Sequence, residues 1–309
     1  MTQKIAWLID ANIYVYEAWN YCKEPAKDTA GNPIHGVVGF LHFVYKLLST
    51  ERPATIAFAF DEKLKNSHRK ALYPNYKANR KPLSPELALQ FRYCRDFLDA
   101  LGLYQSSSHH YEADDLIGTW ATQLRKQGYQ LNIITADKDL LQLIRDNDQW
   151  WSYQRNYKYT VQSFRKRHRI SPYQVADQLA LAGDKSDNIQ GVTGVGMSTA
   201  AKLLRKFHDI DTLFEQQSEI HKMHIRHAMQ IQEAIASHHD IIRLAQKITL
   251  IQCNIEDANS EDILKPRQFS ADRFTALCEQ LRITKDLQKQ WRILIERLYP
   301  DKILPSSSL

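Results

Sequence analysis

Three apolar segments of the chain end in an aspartate. They span residues 4–10, 55–61 and 131–137, and each is short and rich in bulky apolar residues. Segments of this kind, each followed by a helical pattern, are typical of buried β-strands. In an open parallel sheet, ligands bind outside the carboxyl ends of the strands. The pattern therefore predicts that Asp10, Asp61 and Asp137 meet at one edge, where their mutual repulsion favours a bound cation.

Helical spacing fills the chain between these strands. Apolar residues recur every three or four positions over 34–48 and 87–101. Ser84 followed by Pro85 suits the N-cap and first turn of the second of these helices. The alternation of strands and helices over 1–150 favours an α/β fold, with a mostly parallel central sheet and flanking helices.

The chain beyond residue 170 has a different pattern, in which helices dominate. Helices are predicted over 172–183, 198–207, 220–250 and 270–298. Residues 62–84 also differ from their surroundings, because they are basic, contain two prolines and lack a clean apolar face. We expect them to form an excursion over the strand ends, where loops commonly carry function.

The overall composition is that of an ordinary globular protein, with 43% hydrophobic and 25% charged residues. No apolar run is long enough for a transmembrane helix, so we expect no membrane contact. The start of the chain leads directly into a strand, which argues against a signal peptide. The four cysteines form no Cys-x-x-Cys pair, which fits a reducing cytoplasm and argues against a zinc site.

Positive charge is concentrated in two stretches of the chain. The net charge is +6 and the pI about 9.0, which fits an anionic partner such as nucleic acid, although solubility alone also explains a modest excess. Residues 62–81 contain seven Lys and Arg against one acid, and residues 155–169 contain six against none. The acids are instead concentrated in a few short motifs.

The densest acidic motif is Glu112-Ala-Asp114-Asp115, at the start of an apolar helical pattern. The helix dipole favours acids in a first turn, which explains one or two of them. Three acids within four residues repel one another more than the dipole offsets, so metal ligation is the stronger interpretation. In Asp137-Lys-Asp139, one aspartate could cap the following helix, and the second needs another explanation.

Asp184 and Asp187 precede a glycine-rich turn, and by themselves they are explained as a polar turn. Beside the other motifs, we interpret them as a further edge of the same cluster. Carboxylate oxygens select Mg²⁺ or Mn²⁺ rather than zinc, and two such ions ~3.5–4 Å apart clamp the attacking and leaving oxygens of a phosphodiester. The candidate metal ligands are Asp10, Asp61, Glu112, Asp114, Asp115, Asp137, Asp139, Asp184 and Asp187.

The glycine-rich turn covers residues 191–196 and leads into a helix. Backbone N–H groups at a helix N-terminus bind phosphate, although a glycine turn before a helix is weak evidence by itself. Lys202, Arg205 and Lys206 on the following helix strengthen the interpretation.

Together these motifs resemble the 5′-nuclease (flap endonuclease) family, and most closely the 5′→3′ exonuclease domain of bacterial DNA polymerase I in a stand-alone form. The resemblance covers about residues 4–250. The matching segments are Leu8-Ile-Asp10, Phe60-Asp61 with Arg69 and Tyr76-Lys-Ala-Asn-Arg80, Tyr111-Glu-Ala-Asp-Asp115, Thr135-Ala-Asp-Lys-Asp-Leu140, and Gly183-Asp-Lys-Ser-Asp-Asn-Ile189 running into Gly191–Gly196.

The resemblance implies an active-site groove in the sheet, a helical arch over about 63–100, and a helix-three-turn-helix module near 172–207. The implied domains are an α/β catalytic core over 1–170 including the arch, a DNA-binding region over 171–255, and a helical extension over 256–309.

The resemblance also implies roles for individual residues. Asp10, Asp61, Glu112, Asp114 and Asp115 are expected at a first metal and Asp137, Asp139, Asp184 and Asp187 at a second, with Asp115 also counted as catalytic. Lys77 and Arg80 are expected to steady the scissile phosphate as catalytic, nucleic-acid-binding residues. The other nucleic-acid-binding residues are expected to be Arg69, Tyr76, Gly191, Gly194, Gly196 and Lys202, with K⁺ a candidate at the 191–196 turn.

The implied activity is a Mg²⁺-dependent 5′→3′ exonuclease and flap endonuclease, using two Mg²⁺ ions that Mn²⁺ can replace. Its expected partners are DNA with 5′ flaps, nicks or overhangs, and RNA primers. We expect a monomer in the cytoplasm of a bacterium or a phage-infected cell, associated with the nucleoid.

One departure from the family pattern is Glu17, which stands where relatives usually have a phosphate-facing arginine. An acid here is expected to repel DNA unless it pairs with Arg69 or Arg80. Two alternatives stay open: a branched-DNA-binding protein that does not cut, and a PIN-like single-strand ribonuclease, which would not need the module at 172–207.

Overall fold

The computed structural model describes residues 3–21, 26–62 and 67–300. These residues form a six-stranded sheet surrounded by helices. The strands are β1 (Ile5–Asp10), β2 (Thr55–Asp61), β3 (Tyr104–Ser108), β4 (Gln130–Ile134), β5 (Gln149–Ser152) and β6 (Tyr157–Tyr159).

The α-helices of the described residues flank the sheet and dominate the chain after residue 170. They are α1 (Ala11–Tyr21), α2 (His35–Glu51), α3 (His68–Leu72), α4 (Pro85–Ala100), α5 (Ala113–Lys126), α6 (Val161–His168), α7 (Val175–Ala182), α8 (Met197–Phe207), α9 (Ile210–Glu215), α10 (Ala228–Ser237), α11 (His239–Thr249), α12 (Glu261–Leu264), α13 (Ala271–Gln280) and α14 (Lys285–Leu298). Three 3₁₀ helices lie between them, at Asp139–Leu143, Pro172–Gln174 and Gln217–Lys222.

The sheet has the order β3-β2-β1-β4-β5-β6. The first five strands in this order are parallel, and β6 is antiparallel to β5. The predicted mostly parallel central sheet is confirmed. The connections run outward in both directions from β1, so the gap between the ends of β1 and β4 is the position where open α/β sheets bind ligands.

Each face of the sheet is buried against its own group of helices. In β1, Ala6 and Leu8 point into one apolar cluster, and Trp7 and Ile9 point into the other, as the two-residue repeat of a strand requires. The first cluster contains α5 together with α7, α8, α10 and α11. The second contains α1, α2, α4, α13 and α14.

Several predicted elements have different bounds in the structure. The pattern over 220–250 is divided between the end of a 3₁₀ helix, α10 and α11. His227, with a left-handed φ of 58°, precedes α10, and His238, with φ of −128°, separates α10 from α11. The pattern over 270–298 is divided into α13 and α14. Strands β3, β5 and β6 were not predicted from the sequence.

The structure describes residues 67–100 of the region predicted to form a helical arch, and the arch itself stays a prediction. Residues 63–66 of that prediction lie outside the described residues. Residues 85–100 form α4, which is capped by Ser84 as expected and packs Leu87, Tyr93 and Phe97 into the core. After α3, Lys77 and Arg80 reach the acids at the carboxyl ends of the strands.

Candidate active site

The first acidic residue of the site is Asp10, the last residue of β1. Its side chain is buried, and the Thr135 hydroxyl donates a 2.8 Å hydrogen bond to Oδ2. Burial raises the pKa of Asp10 to about 7; the bond from Thr135 opposes this rise, and the charges of Asp61 and Asp137 add to it. Asp10 therefore faces the other strand-end acids.

Asp61, at the end of β2, joins the starts of two helices. Its Oδ1 accepts a 2.7 Å hydrogen bond from the Ala113 N–H at the start of α5, and its Oδ2 accepts one of 3.2 Å from Asn12 Nδ2 in α1. Desolvation raises the pKa of Asp61, and the neighbouring charge of Glu112 raises it further. These bonds fix the end of β2 against the first turns of α1 and α5.

The three acids at the start of α5 have three different environments. Glu112 Oε2 accepts hydrogen bonds from Tyr76 Oη and Lys77 Nζ, both at 2.9 Å. Burial acts to raise the pKa of Glu112, but Lys77 and Arg69 hold that pKa below its usual value. Asp114 faces like charges instead: burial and the charges of Asp137, Asp10 and Asp61 raise its pKa well above the usual value.

Asp115 is fully buried and its oxygens are occupied by protein donors. Arg69 binds both oxygens, with Nη1 at 2.6 Å from Oδ2 and Nη2 at 2.8 Å from Oδ1. The backbone N–H groups of Gln252 and Glu112 add bonds of 2.8 and 3.1 Å. Asp115, which was also predicted to be a metal ligand, is therefore held in an internal ion pair with Arg69.

Asp139, Asp184 and Asp187 form the second part of the site. Each offers a carboxylate oxygen, and these oxygens lie within 4.8 Å of one another. Burial raises the pKa of Asp139 well above the usual value, and Asp137, Asp184 and Asp187 raise it further. Asp137 links the two parts, because its charge also raises the pKa of Asp10 and Asp114.

The donor set of this cluster suits a hard divalent cation. Apart from Asp115, each of the eight predicted ligands either raises the pKa of a neighbouring acid or has its own pKa raised by one. All eight offer carboxylate oxygens as ligands. Oxygen ligands are preferred by Mg²⁺, Mn²⁺ and Ca²⁺ over softer metals. Burial raises the pKa of Asp10, Asp61, Asp114, Asp137 and Asp139, and the neighbouring acids raise it further, so a bound cation would stabilise the charged carboxylates. The residues present therefore fit a metal-binding acidic site.

Two cations reach this cluster from the turn after α3. Lys77 Nζ lies 2.9 Å from Glu112 Oε2 and 3.7 Å from Asp187 Oδ2, and Arg80 forms an ion pair with Asp187. Lys77 has a positive φ of 54°, which is costly for a residue with a side chain. Its N–H donates a 2.9 Å bond to the Asp187 carbonyl, so the turn is fastened to the loop that carries two of the acids.

Two residues predicted to contact nucleic acid lie inside the protein. Arg69 is 3% exposed, and besides Asp115 it binds the Ile248 carbonyl at 2.9 Å. Tyr76 is also 3% exposed, and its hydroxyl donates to Glu112 and to Asp187. In this arrangement both side chains support the acids, and neither presents a surface on which a base or phosphate could lie.

The 191–196 turn is present as predicted and leads into α8. A Cβ on Gly191 would lie 2.3 Å from the Ala182 carbonyl carbon, and Gly194 has φ of 82°, so both positions require glycine. Val192 and Val195 anchor the turn in the core. Gly196 is the N-cap residue of α8. Lys202, on α8, lines an open groove of about 360 Å³ with Arg205, Lys206, Met223, His224 and Ile225.

Glu17 forms no ion pair with Arg69 or Arg80, the two partners considered for it from the sequence. Arg69 is bound to Asp115, and Arg80 is bound to Asp187. Burial raises the pKa of Glu17, and the charge of Arg155 partly opposes that rise. Its Oε2 is buried without a hydrogen-bond partner among the described residues.

Sequence reasoning assigned no role to two polar residues that shape the site. Asn12 binds Asp61 through both its Nδ2 and its Oδ1, and the Thr135 hydroxyl bridges Asp10 and the Asp137 N–H. Asn12 follows Asp10 by two residues and Thr135 precedes Asp137 by two residues, so both lie close in sequence to a predicted metal ligand. That proximity was the available signal.

Comparison with known proteins agrees with this site. Residues 5–169 match the family model described as 5′-3′ exonuclease, N-terminal resolvase-like domain, and residues 170–272 match that of its C-terminal SAM fold. The chain therefore belongs to the 5′-3′ exonuclease family, a family of nucleases that bind metal and DNA. The predicted family and enzyme class, a hydrolase, are confirmed.

Individual relatives differ in length. A 5′-3′ exonuclease of Aquifex aeolicus is 26% identical over 95% of this chain and 99% of that protein. DNA polymerase I of Bacillus subtilis is 30% identical over 95% of this chain, but the match covers 32% of the polymerase. The chain spans about a third of the polymerases it matches.

Solved structures share the fold. The bacteriophage T5 flap endonuclease, solved as a complex with DNA and metal ions, has a TM-score of 0.64 at 16% identity over 96% of this chain and 99% of that one. Within the residues that the structure describes, no helix has the length and apolar character needed to span a membrane.

Proposed function

We propose that this chain is a divalent-metal-dependent, structure-specific 5′ nuclease. It would act as a 5′→3′ exonuclease and flap endonuclease near the 5′ ends of branched or nicked DNA and RNA primers, leaving 5′-phosphate products. The observation that carries the proposal is the convergence of eight carboxylates beside Lys77 and Arg80. Negative and positive groups placed together in this way can bind metal ions and a phosphodiester at one position.

The carboxylates divide into two sets by the elements that carry them. We assign Asp10, Asp61, Glu112 and Asp114 to one Mg²⁺ and Asp137, Asp139, Asp184 and Asp187 to a second, with Mn²⁺ able to replace either. Bound there, two such ions would stabilise the charge that develops on the attacking and leaving oxygens of an in-line displacement. Asp115 is assigned a positioning role, because its lone pairs are engaged by Arg69 and backbone N–H groups.

Lys77 and Arg80 are the residues we assign to the scissile phosphate. Their present partners, Glu112 and Asp187, are assigned metal ligands. When cations neutralise those acids, both side chains become available to a phosphate. A charge-assisted contact to the reacting phosphate strengthens as negative charge accumulates in the transition state.

Duplex binding is assigned to the turn at 191–196 and to Lys202. Backbone N–H groups at the start of α8 and the basic side chains of that helix favour phosphate oxygens. K⁺ is a candidate ligand of the same turn. The DNA complex of the phage T5 protein, which has the same fold, supports branched DNA as the substrate. A bacterial or phage origin fits the organisms of these similar proteins, and we propose a cytoplasmic location.

The two alternatives are less consistent with these features. A PIN-like ribonuclease would not need the helical region that matches the exonuclease family over 170–272. A branched-DNA-binding protein that does not cut would have no need to keep eight mutually repelling carboxylates. We therefore retain cleavage as the function.

Cleavage of a 5′-flap substrate tests this proposal. The wild-type protein should cut at the flap junction with Mg²⁺, leave 5′-phosphate ends and be inactive with EDTA. Asp137→Asn should abolish cutting while retaining flap binding, and Asp272→Asn, an exposed acid on α13, is the matched control and should cut normally. Absence of Mg²⁺-dependent cutting by wild type, or normal cutting by Asp137→Asn, would contradict the proposal.

A further inference from the structure

A basic surface lies outside the site and the 191–196 turn. The chain contains no Asp or Glu from residue 149 to residue 176. We define the basic face as the exposed cations of this segment: Arg155, Lys158, Arg165, Lys166, Arg167 and Arg169. None of them forms an ion pair with a carboxylate among the described residues.

The exposed cations lie on a β-hairpin and on the helix that follows it. In the hairpin of β5 and β6, Arg155 lies in the turn and Lys158 in β6, and the other cations lie on α6 or at its C-cap. Val161 and Phe164 anchor α6 in the core, so its basic side chains face solvent. Cations in the last turn of a helix are favoured by the helix dipole, but this does not account for the two on the hairpin.

The basic face is connected to the active site through packed aromatic side chains. Trp150 Nε1 donates a 2.8 Å bond to the Asp137 carbonyl, and the Trp150 and Tyr159 rings lie 5.7 Å apart. The Tyr159 hydroxyl lies 2.9 Å from His168 Nε2 in α6. Burial lowers the pKa of His168, and the charge of Lys138, which lies between Asp137 and Asp139 in the chain, lowers that pKa further.

We propose that the basic face binds the phosphodiester backbone of the nucleic acid whose scissile bond occupies the active site. This inference rests on the proposed function and adds a contact surface to it. Unpaired cations beside a phosphodiester site extend the path that a polyanion can follow. Membrane binding fits less well, because an interfacial helix needs exposed Trp, Phe or Leu on one face, and the apolar residues Val161 and Phe164 of α6 are buried.

Salt-dependent binding of a flap substrate tests the inference. The test variant is Arg165→Gln/Lys166→Gln/Arg167→Gln. The control is Lys285→Gln/Lys289→Gln/Arg297→Gln, which removes the same charge from α14 on the other face of the sheet. Fluorescence anisotropy of labelled flap DNA, with Ca²⁺ replacing Mg²⁺ to limit cutting, would be measured from 50 to 200 mM salt.

Each phosphate contact contributes about 0.9 to the slope of log K against log salt, so loss of three contacts should lower the slope by about 2.7 units and the affinity at low salt by about tenfold. For the control variant, neither the slope nor the affinity should change by more than about a tenth of the change expected for the test variant. If the triple variant does not fold, Arg155→Gln/Lys158→Gln should lower the slope by about 1.8 units.

Equal slopes for the test variant and the control would overturn the inference. So would loss of binding to phosphatidylserine vesicles with DNA binding unchanged, because the surface would then serve a membrane. Failure of the proposed function is distinguishable, since the wild-type protein itself would then neither bind nor cut the flap.

Discussion

Two neighbouring aspartates should respond oppositely to the same substitution. Asp115 is fully buried and holds the Arg69 guanidinium through two hydrogen bonds, of 2.6 and 2.8 Å. Asp114 instead faces the charges of Asp137, Asp10 and Asp61. Replacing either with Asn changes the shape very little and removes one negative charge. The change in stability therefore reports the electrostatic environment of each side chain.

The magnitudes follow from those environments. Removing one partner of a buried ion pair costs about 3–5 kcal/mol, because the remaining charge is left uncompensated. Asn at position 115 keeps one acceptor oxygen but turns an amide NH₂ towards Arg69, so we expect a loss of about 3 kcal/mol. At position 114 the substitution removes repulsion, and we expect no loss or a gain of about 1 kcal/mol.

The assay is urea unfolding at pH 8 in EDTA, with Asp272→Asn as the exposed control. The free energy of unfolding should fall for Asp115→Asn and stay level or rise for Asp114→Asn. With metal present, Asp114→Asn should be inactive although it is stable. Equal stability of the two variants would refute the assignment of Asp115 to the ion pair and of Asp114 to the metal-facing set.

Three further predictions concern charge at the site. The pKa of Asp10 is about 7 in the folded state against an ordinary 3.8, so the folded state binds this proton more tightly than the unfolded state. The contribution of Asp10 should therefore lower metal-free stability as pH rises from about 4 to 7. Thermal unfolding in EDTA across that range measures this fall, and its absence would contradict the reasoning. Lys77→Ala should reduce the single-turnover rate much more than flap affinity, with Lys81→Ala as control, and equal losses would mark an ordinary binding residue. Glu17→Gln should tighten flap binding by about 0.5–1 kcal/mol at low salt by removing an acid beside Arg155, an advantage that salt screens; unchanged affinity at every salt concentration would place Glu17 away from the DNA.

The sequence predicted the sheet edge well, because burial and strand length leave a strong local signal. The three apolar segments became β1, β2 and β4, with Asp10 and Asp61 as the final residues of their strands. Strand β3 left no such signal: its sequence, Tyr104–Ser108, is largely polar and its middle residues are only partly buried. Its pairing with β2 is a tertiary contact, which sequence periodicity does not report.

The roles of individual side chains were harder to predict than the strands. Successive helical residues point about 100° apart, so Asp114 and Asp115 face different neighbours. Helix geometry alone could have indicated this. The partner that captures Asp115 could not be inferred, because Arg69 lies 46 residues away in the chain. The burial of Tyr76 likewise depends on contacts with Glu112 and Asp187 that only the folded chain creates.

Binding of Mn²⁺ tests the central claim most directly, because it measures whether the converging carboxylates hold divalent cations. A titration followed by electron paramagnetic resonance should show two ions bound to the wild-type protein. Asp114→Asn and Asp184→Asn should each weaken one of them, and Asp272→Asn should weaken neither. No bound Mn²⁺ in the wild-type protein, or binding that both site variants leave unchanged, would contradict the account.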